Sequence, residues 1–283
     1  MILSLYIILW MIIMSRSLYP TTLFHFTEKL DTLFEILDSS YFRISFAREF
    51  IQGQSTNRNF GIPMVSFCDI RLTQLTQHTE SYGHYGIGLS KDWANENGLN
   101  PVIYMSKHSS VFDNYNLEIR RLKAEVNKLL KHLDEIKSSG TTSQLTNAKR
   151  KYDSAILSYK KIVDPLRYMK NYQATLKRRN GQEKPNYIFA DEREWRFVPD
   201  IEKSIGKPVI AASKNISTQD GKRKYNEYYD DDRLPFSHKD IKYVIVEHES
   251  DVEKMMDFLH IKYGSKSSLI PRVLSTELIA NDM

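Results

Sequence analysis

The chain has 283 residues, of which 41% are hydrophobic and 12% aromatic, enough for a sizeable core and too apolar for a disordered polymer. Lys and Arg number 40 against 35 Asp and Glu, a net charge of +5. The single cysteine, Cys68, excludes an internal disulfide framework and fits a cytoplasmic protein; no Cys/His cluster has zinc spacing, so no metal is expected.

The chain opens with "MILSLYIILWMIIM", apolar over 14 residues. That falls short of the roughly 20 needed to span a bilayer, and no basic residue precedes it as in a secretory signal. Residues 1–17 are read as a hydrophobic extension, with Met11 and Met14 as alternative starts and no membrane attachment expected.

Beyond it, "LYPTTLFHFT" alternates Phe24 and Phe26 against His25 and Thr27, a strand pattern. "EKLDTLFEILDS" places Leu30, Leu33, Phe34 and Leu37 on one helix face. "GIPMVSFCDI" reads as a buried strand and "HYGIGLS" as a short glycine-containing one, where a ligand could approach the backbone or aromatic rings could fill the space. "KDWANENGLNP" is a short helix ended by Gly98 and Pro101, ahead of the strand "PVIYM".

Residues 113–172 change character. One apolar stripe runs Ile119, Leu122, Val126, Leu129, Leu133, Ile136; after "SSGTTS" a second runs Leu145, Ala148, Tyr152, Ala155, Tyr159, Ile162, Leu166. Matched stripes joined by a short polar loop predict an antiparallel helical hairpin, each helix about 39 Å long, with its two stripes buried mainly against one another. The segment carries 13 Lys/Arg against 7 Asp/Glu, so the chain's basic balance resides here. Arg120, Arg121, Lys128, Lys149, Arg150 and Lys151 are the candidates for contact with a partner protein or nucleic acid; a solvated lysine-rich face is the plainer reading.

After the hairpin comes "FADEREWRFVPD". Read with period two, Glu192, Glu194 and Arg196 share one face and Arg193, Trp195 and Phe197 the other. Carboxylates on alternate strand residues stand about 6–7 Å apart and raise one another's pKa unless a cation such as Arg196 intervenes. The strand is either the floor of a site or an ordinary strand with a salt-bridged charged face. Residues 202–240, punctuated by Gly206, Pro208, Gly221 and Pro235, read as a long surface excursion, before the strand "IKYVIVEH" and the helix "DVEKMMDFLHIKYG". Residues 18–112 and 173–283 thus form an α/β core domain with the hairpin, 113–172, inserted.

Five blocks, "LFHFTEKLDTLFEIL", "PMVSFCDIRLTQLTQH", "YGHYGIGLSKDWANENGLNPVIYM", "ADEREWRFVP" and "LPFSHKDIKYVIV", resemble the AbiGi family of abortive phage-resistance proteins. That resemblance implies an antitoxin-like member of a two-gene system with an AbiGii-like companion. More loosely, "FHFT" followed by a helix is similar to the opening of DarT-like and PARP-like ADP-ribosyltransferases. This second likeness implies an α+β fold, a split mixed and antiparallel sheet with flanking helices and the hairpin inserted. It also implies NAD as substrate, with His25 on the ribose, Tyr85 on nicotinamide, and Thr27 and Ser66 as further NAD contacts. Glu194 would be the glutamate that steadies the cationic sugar, with Glu192 beside it. Two functions stand side by side: an ADP-ribosyltransferase or NAD glycohydrolase, and a non-catalytic antitoxin or sensor that binds a partner protein or nucleic acid.

Overall fold

The computed structural model describes residues 20–177, 181–264 and 268–282; the apolar extension 1–17 lies outside this range. In chain order come β1 (Thr22–Thr27), α1 (Leu30–Ser39), β2 (Tyr41–Arg43), β3 (Ser45–Gln52), β4 (Asn57–Cys68), α2 (Leu75–Tyr82), β5 (Tyr85–Ser90) and α3 (Lys91–Glu96). Then follow β6 (Asn100–Pro101), β7 (Ile103–Met105), α4 (Val111–Ser139), α5 (Thr142–Leu166), β8 (Met169–Asn171), β9 (Gln173–Lys177), β10 (Glu183–Ile188) and β11 (Glu194–Phe197). The chain closes with β12 (Ala211–Ala212), α6 (Gln219–Glu227), β13 (Arg233–Pro235), β14 (Ile241–Val246), α7 (Glu249–Tyr263), β15 (Val273–Ser275) and α8 (Thr276–Asp282). The fold is mixed α+β, with sheets that are largely antiparallel.

Two compact units divide the chain. Among the described residues, the first comprises those up to Asp38, Cys68–Ala94 and those from Ser237 onward. Its strands run in the order β15, β14, β5, β1; β14 and β15 are parallel and the other neighbours antiparallel. Phe24, Cys68, Ile70, Leu75, Ile245 and Ile279 form its core. Along β5, Gly86 and Gly88 serve packing. A Cβ at Gly86 would lie 2.7 Å from the Phe26 ring, and one at Gly88 would lie 2.8 Å from the Phe24 ring. The space left by these glycines is therefore filled by phenyl rings of β1, and the open approach for a ligand is corrected to that extent.

The second unit comprises Ser39–Phe67 and Asn95–Phe236. Here β4 pairs β3 over eight residues and also borders β12 and β11. Strand β11 pairs β6, and β7 just beyond it pairs β8 in parallel. The ring of neighbours then closes on β3, because the Asn171 side chain accepts from Gln52 N at 2.8 Å and donates to Gln52 O at 2.8 Å. One side-chain amide thus does what a backbone ladder would do, leaving both groups satisfied.

Helices α4 and α5 form the predicted hairpin. Thr141 starts α5 as a capping box, its hydroxyl accepting from Gln144 N while the Gln144 side chain returns to Thr141 N at 2.8 Å. Ile119, Val126 and Leu133 of α4 and Ala148, Ala155 and Val163 of α5 are buried as the stripes require. The stripes, expected to bury mainly against each other, at the base also bury against the core. Phe112, Ile119, Val163 and Leu166 belong to one core cluster with Ile51, Phe60 and Ile62 of β3 and β4. Asp113 further accepts from Thr56 N at 2.8 Å, and buried Asn116 accepts from Arg58 Nε at 2.7 Å. The excursion over 202–240 is also more ordered than its composition suggests: it supplies β12 to β4 and β13 to β2, and buries Tyr229.

Candidate functional site

The "EREWR" segment folds differently from a simple strand. Glu192 ends a short 3-10 turn, Phe189–Glu192, and Arg193 takes a left-handed conformation at φ 44°. Only from Glu194 does the chain become strand β11. Alternation survives from there, but the inward face is the charged one. Arg196 is fully buried and Glu194 is 5% exposed, whereas Trp195 and Phe197 are half-buried. The charged face is therefore the one turned inward, and the aromatic face is left partly exposed.

What permits this is a set of partners from distant strands. Lys170 Nζ of β8 donates to Glu192 Oε2 and to Glu194 Oε2, at 2.8 Å each. Arg196 clasps Glu194 with Nε to Oε1 at 2.7 Å and Nη2 to Oε2 at 3.1 Å. Its Nη2 also reaches Glu49 Oε1 on β3 at 2.7 Å, and its Nη1 donates to Arg167 O at 2.9 Å. The Phe189 ring lies 4.7 Å from Lys170 Nζ, a cation–π contact. Glu194 N donates to the Tyr104 hydroxyl at 3.0 Å.

Electrostatics follow from burial and pairing. Burial alone would raise the Glu194 carboxyl, but Arg196 and Lys170 outweigh it and hold the group at about 2. Burial works against the Arg196 charge, yet Glu194 and Glu49 keep it protonated above the ordinary arginine value. Glu49 is the member left over. Burial raises its carboxyl despite Arg196 and Lys170, with Glu194 and Glu192 adding to the rise. Tyr104 is pushed up to about 12, chiefly by burial. Three carboxylates share two cations, and within this network the Glu49 carboxyl is raised while that of Glu194 is lowered.

The other candidates fall as follows. His25, Thr27 and Tyr85 belong to the first unit, and Ser66, Glu192 and Glu194 to the second. Thr27 lies directly opposite Tyr85, and His25 opposite Ile87, so His25, Thr27 and Tyr85 share one face of the β1–β5 pair. Tyr85 is itself buried, its hydroxyl donating to Asp251 Oδ2 at 3.3 Å; burial and then the Asp251 charge push its phenol well up. Ser66 lies partly buried on β4.

All six hairpin cations are exposed. Arg121 is already committed, to Glu118 at 2.6 Å and Glu125 at 3.4 Å, and Arg150 donates to Asn147. Arg167, counted in the hairpin's basic excess, is instead buried, donating to Pro199 O at 2.7 Å, and Lys170 sits in the carboxylate network. The surface charge of the hairpin is correspondingly smaller.

Sequence reading missed Glu49, Tyr104 and Lys170. The available signal was a charged residue within short apolar strand runs, "SFAREFIQ" and "RYMKNY". Among the described residues, no three His, Cys, Asp or Glu side chains are grouped to hold a metal ion. Among the same residues, no helix is long and apolar enough to cross a membrane.

Comparison with known proteins adds the family. The abortive phage resistance protein AbiGi of Lactococcus lactis subsp. cremoris is 28% identical over 232 residues, covering 77% of this chain and 84% of that protein. No solved structure matches the chain. The family profile described as "Putative abortive phage resistance protein AbiGi, antitoxin" matches residues 42–247, which include Ser66, Tyr85, the hairpin, Glu192 and Glu194, and leave out His25 and Thr27. On the extent of that match, the chain belongs to the AbiGi family of abortive phage resistance proteins.

Proposed function

We propose that this chain is the antitoxin-type, partner-binding member of an abortive-infection pair, and that it restrains an AbiGii-like companion without consuming NAD itself. The observation that carries this reading is the commitment of Glu194. Steadying a cationic sugar requires a carboxylate whose charge is offered to the substrate. The Glu194 charge is instead spent on Lys170 and Arg196, inside a buried network. The family's printed description as an antitoxin supports the same reading. The exposed hairpin cations Arg120, Lys128, Lys149 and Lys151 offer the companion a surface that an acidic face would complement.

Co-expression is the test. The companion alone should arrest growth, and this chain should relieve the arrest and co-purify with the companion. Growth arrest by this chain alone, together with loss of cellular NAD on infection, would make it the enzyme and overturn the proposal.

A further inference from the structure

The ribbon of β2 and β13 carries a feature that packing does not explain. Its inner face is ordinary: Phe42 and Leu234 are buried, and Phe42 packs against Phe67 and Phe236 with ring centroids 5.2 Å away in each case. Its outer face sets Arg43 directly opposite Arg233, with Tyr41 opposite Pro235. Like charges directly opposed on antiparallel strands destabilise the pair. The usual remedy is a carboxylate, and among the described residues neither arginine forms an ion pair with one. Asp232 precedes Arg233 in the chain but pairs with Lys207.

Tyr41, Arg43 and Arg233 share this outer face. Arg233 lies over the Tyr41 ring, Cζ 5.0 Å from its centroid, and is braced by donating Nη1 to Asp232 O at 3.0 Å and Tyr229 O at 3.3 Å. A hydrogen bond from Arg233, opposed by partial burial and joined by one from Arg43, holds the Tyr41 hydroxyl below the usual phenol range. Arg43 itself is exposed.

We propose that the outer face of this ribbon is a phosphate site, in which Arg43, Arg233 and the Tyr41 hydroxyl hold the oxygens of one phosphate group. An anion between the arginines turns their repulsion into attraction to a shared partner. Two planar forks and a hydroxyl supply more donors than the two oxygens of a carboxylate use well, and the fork geometry suits phosphate. The phosphate could come from a free anion or nucleotide, or from a nucleic-acid backbone; the chemistry at the ribbon is the same. This site stands apart from the antitoxin reading and does not depend on it.

Nuclear magnetic resonance of the arginine Nε groups tests the site on the full-length protein. Inorganic phosphate is titrated in one arm and a short single-stranded RNA in the other. At least one probe should shift the Nε signals of both Arg43 and Arg233, and Arg43→Gln should weaken the remaining response about tenfold. A response to phosphate supports a free-anion site. A response to RNA alone, with a salt slope smaller by about one in Arg43→Gln, supports a backbone phosphate. Arg43 is exposed, so this variant should fold; if it does not, Tyr41→Phe keeps the ring, removes the hydroxyl and should weaken binding in the same direction. The proposal is overturned if neither probe moves both signals, or if the folded variants respond as the wild type does.

Discussion

Arg196 holds Glu194 through two hydrogen bonds, at 2.7 and 3.1 Å, from a guanidinium with no exposed surface. Glu194→Gln keeps the shape of that side chain but leaves Arg196 and Lys170 short of one negative charge in a buried place. Breaking a buried pair from one side costs about 3–5 kcal/mol. We expect the variant to lose that much stability in urea unfolding. A catalytic role would predict the contrary pattern, a fully stable variant with lost activity.

Acid should weaken the protein in a defined window. The Glu194 carboxyl is held at about 2, below its reference value of 4.5. Its contribution is therefore present above about pH 4.5 and is lost as pH falls toward about 2, worth about 3 kcal/mol in all. Glu49 is shifted the opposite way, so its contribution is present at low pH and is lost as pH rises through its raised value. Glu49→Gln should accordingly be tolerated at neutral pH far better than Glu194→Gln. Urea midpoints measured from pH 3 to pH 8 for the wild type and both variants check the sign; equal losses in the two variants would refute it.

The glycines of β5 make a packing prediction. Gly88→Ala would place a methyl group 2.8 Å from both the Phe24 ring and the Thr22 methyl. Overpacking of this kind costs about 1–3 kcal/mol, and Phe24→Leu in the same chain should recover part of it. Melting temperatures of the single and double variants decide the matter.

The hairpin can be shortened but not removed. Cutting residues 123–158 and joining the ends by a short glycine loop retains Phe112, Asn116, Ile119, Val163 and Leu166, which anchor the helices in the core. That chain should remain folded and lose binding to the companion. Removal of 115–168 takes most of the anchor away and should give insoluble protein. Solubility and circular dichroism of the two deletions separate these outcomes.

Much of this architecture was legible from periodicity. The hairpin, β1 with α1, and the closing strand and helix follow from apolar spacing, because each carries its signal within a single element. At "EREWR" the salt-bridged face was legible but its inward orientation was not, for a physical reason. Alternation tells which side chains share a face but not which face is inward, and charge suggests outward by default. Lys170 and Glu49, brought in by topology from elsewhere in the chain, help make an inward charged face tolerable. The glycines failed similarly: "HYGIGLS" shows where side chains are missing, and only the pairing with β1 shows that Phe24 and Phe26 take the room. The arginine pair across β2 and β13 joins segments at opposite ends of the second unit, so no local pattern could have announced it.

The parallel partners β7 and β8 stand immediately before and after the hairpin. Parallel strands separated by a long stretch of chain are slow to meet, since the loop must close before any contact rewards it. Here the intervening stretch is two helices that zip together through near-neighbour contacts starting at the Thr141 turn. The hairpin therefore works as a folding device: once formed, it delivers Ile103 beside Met169 and Met105 beside Asn171, and leaves the Asn171 clasp to shut the ring. A change such as Ala148→Gly, at the buried seam far from any strand, should then slow refolding more than it speeds unfolding.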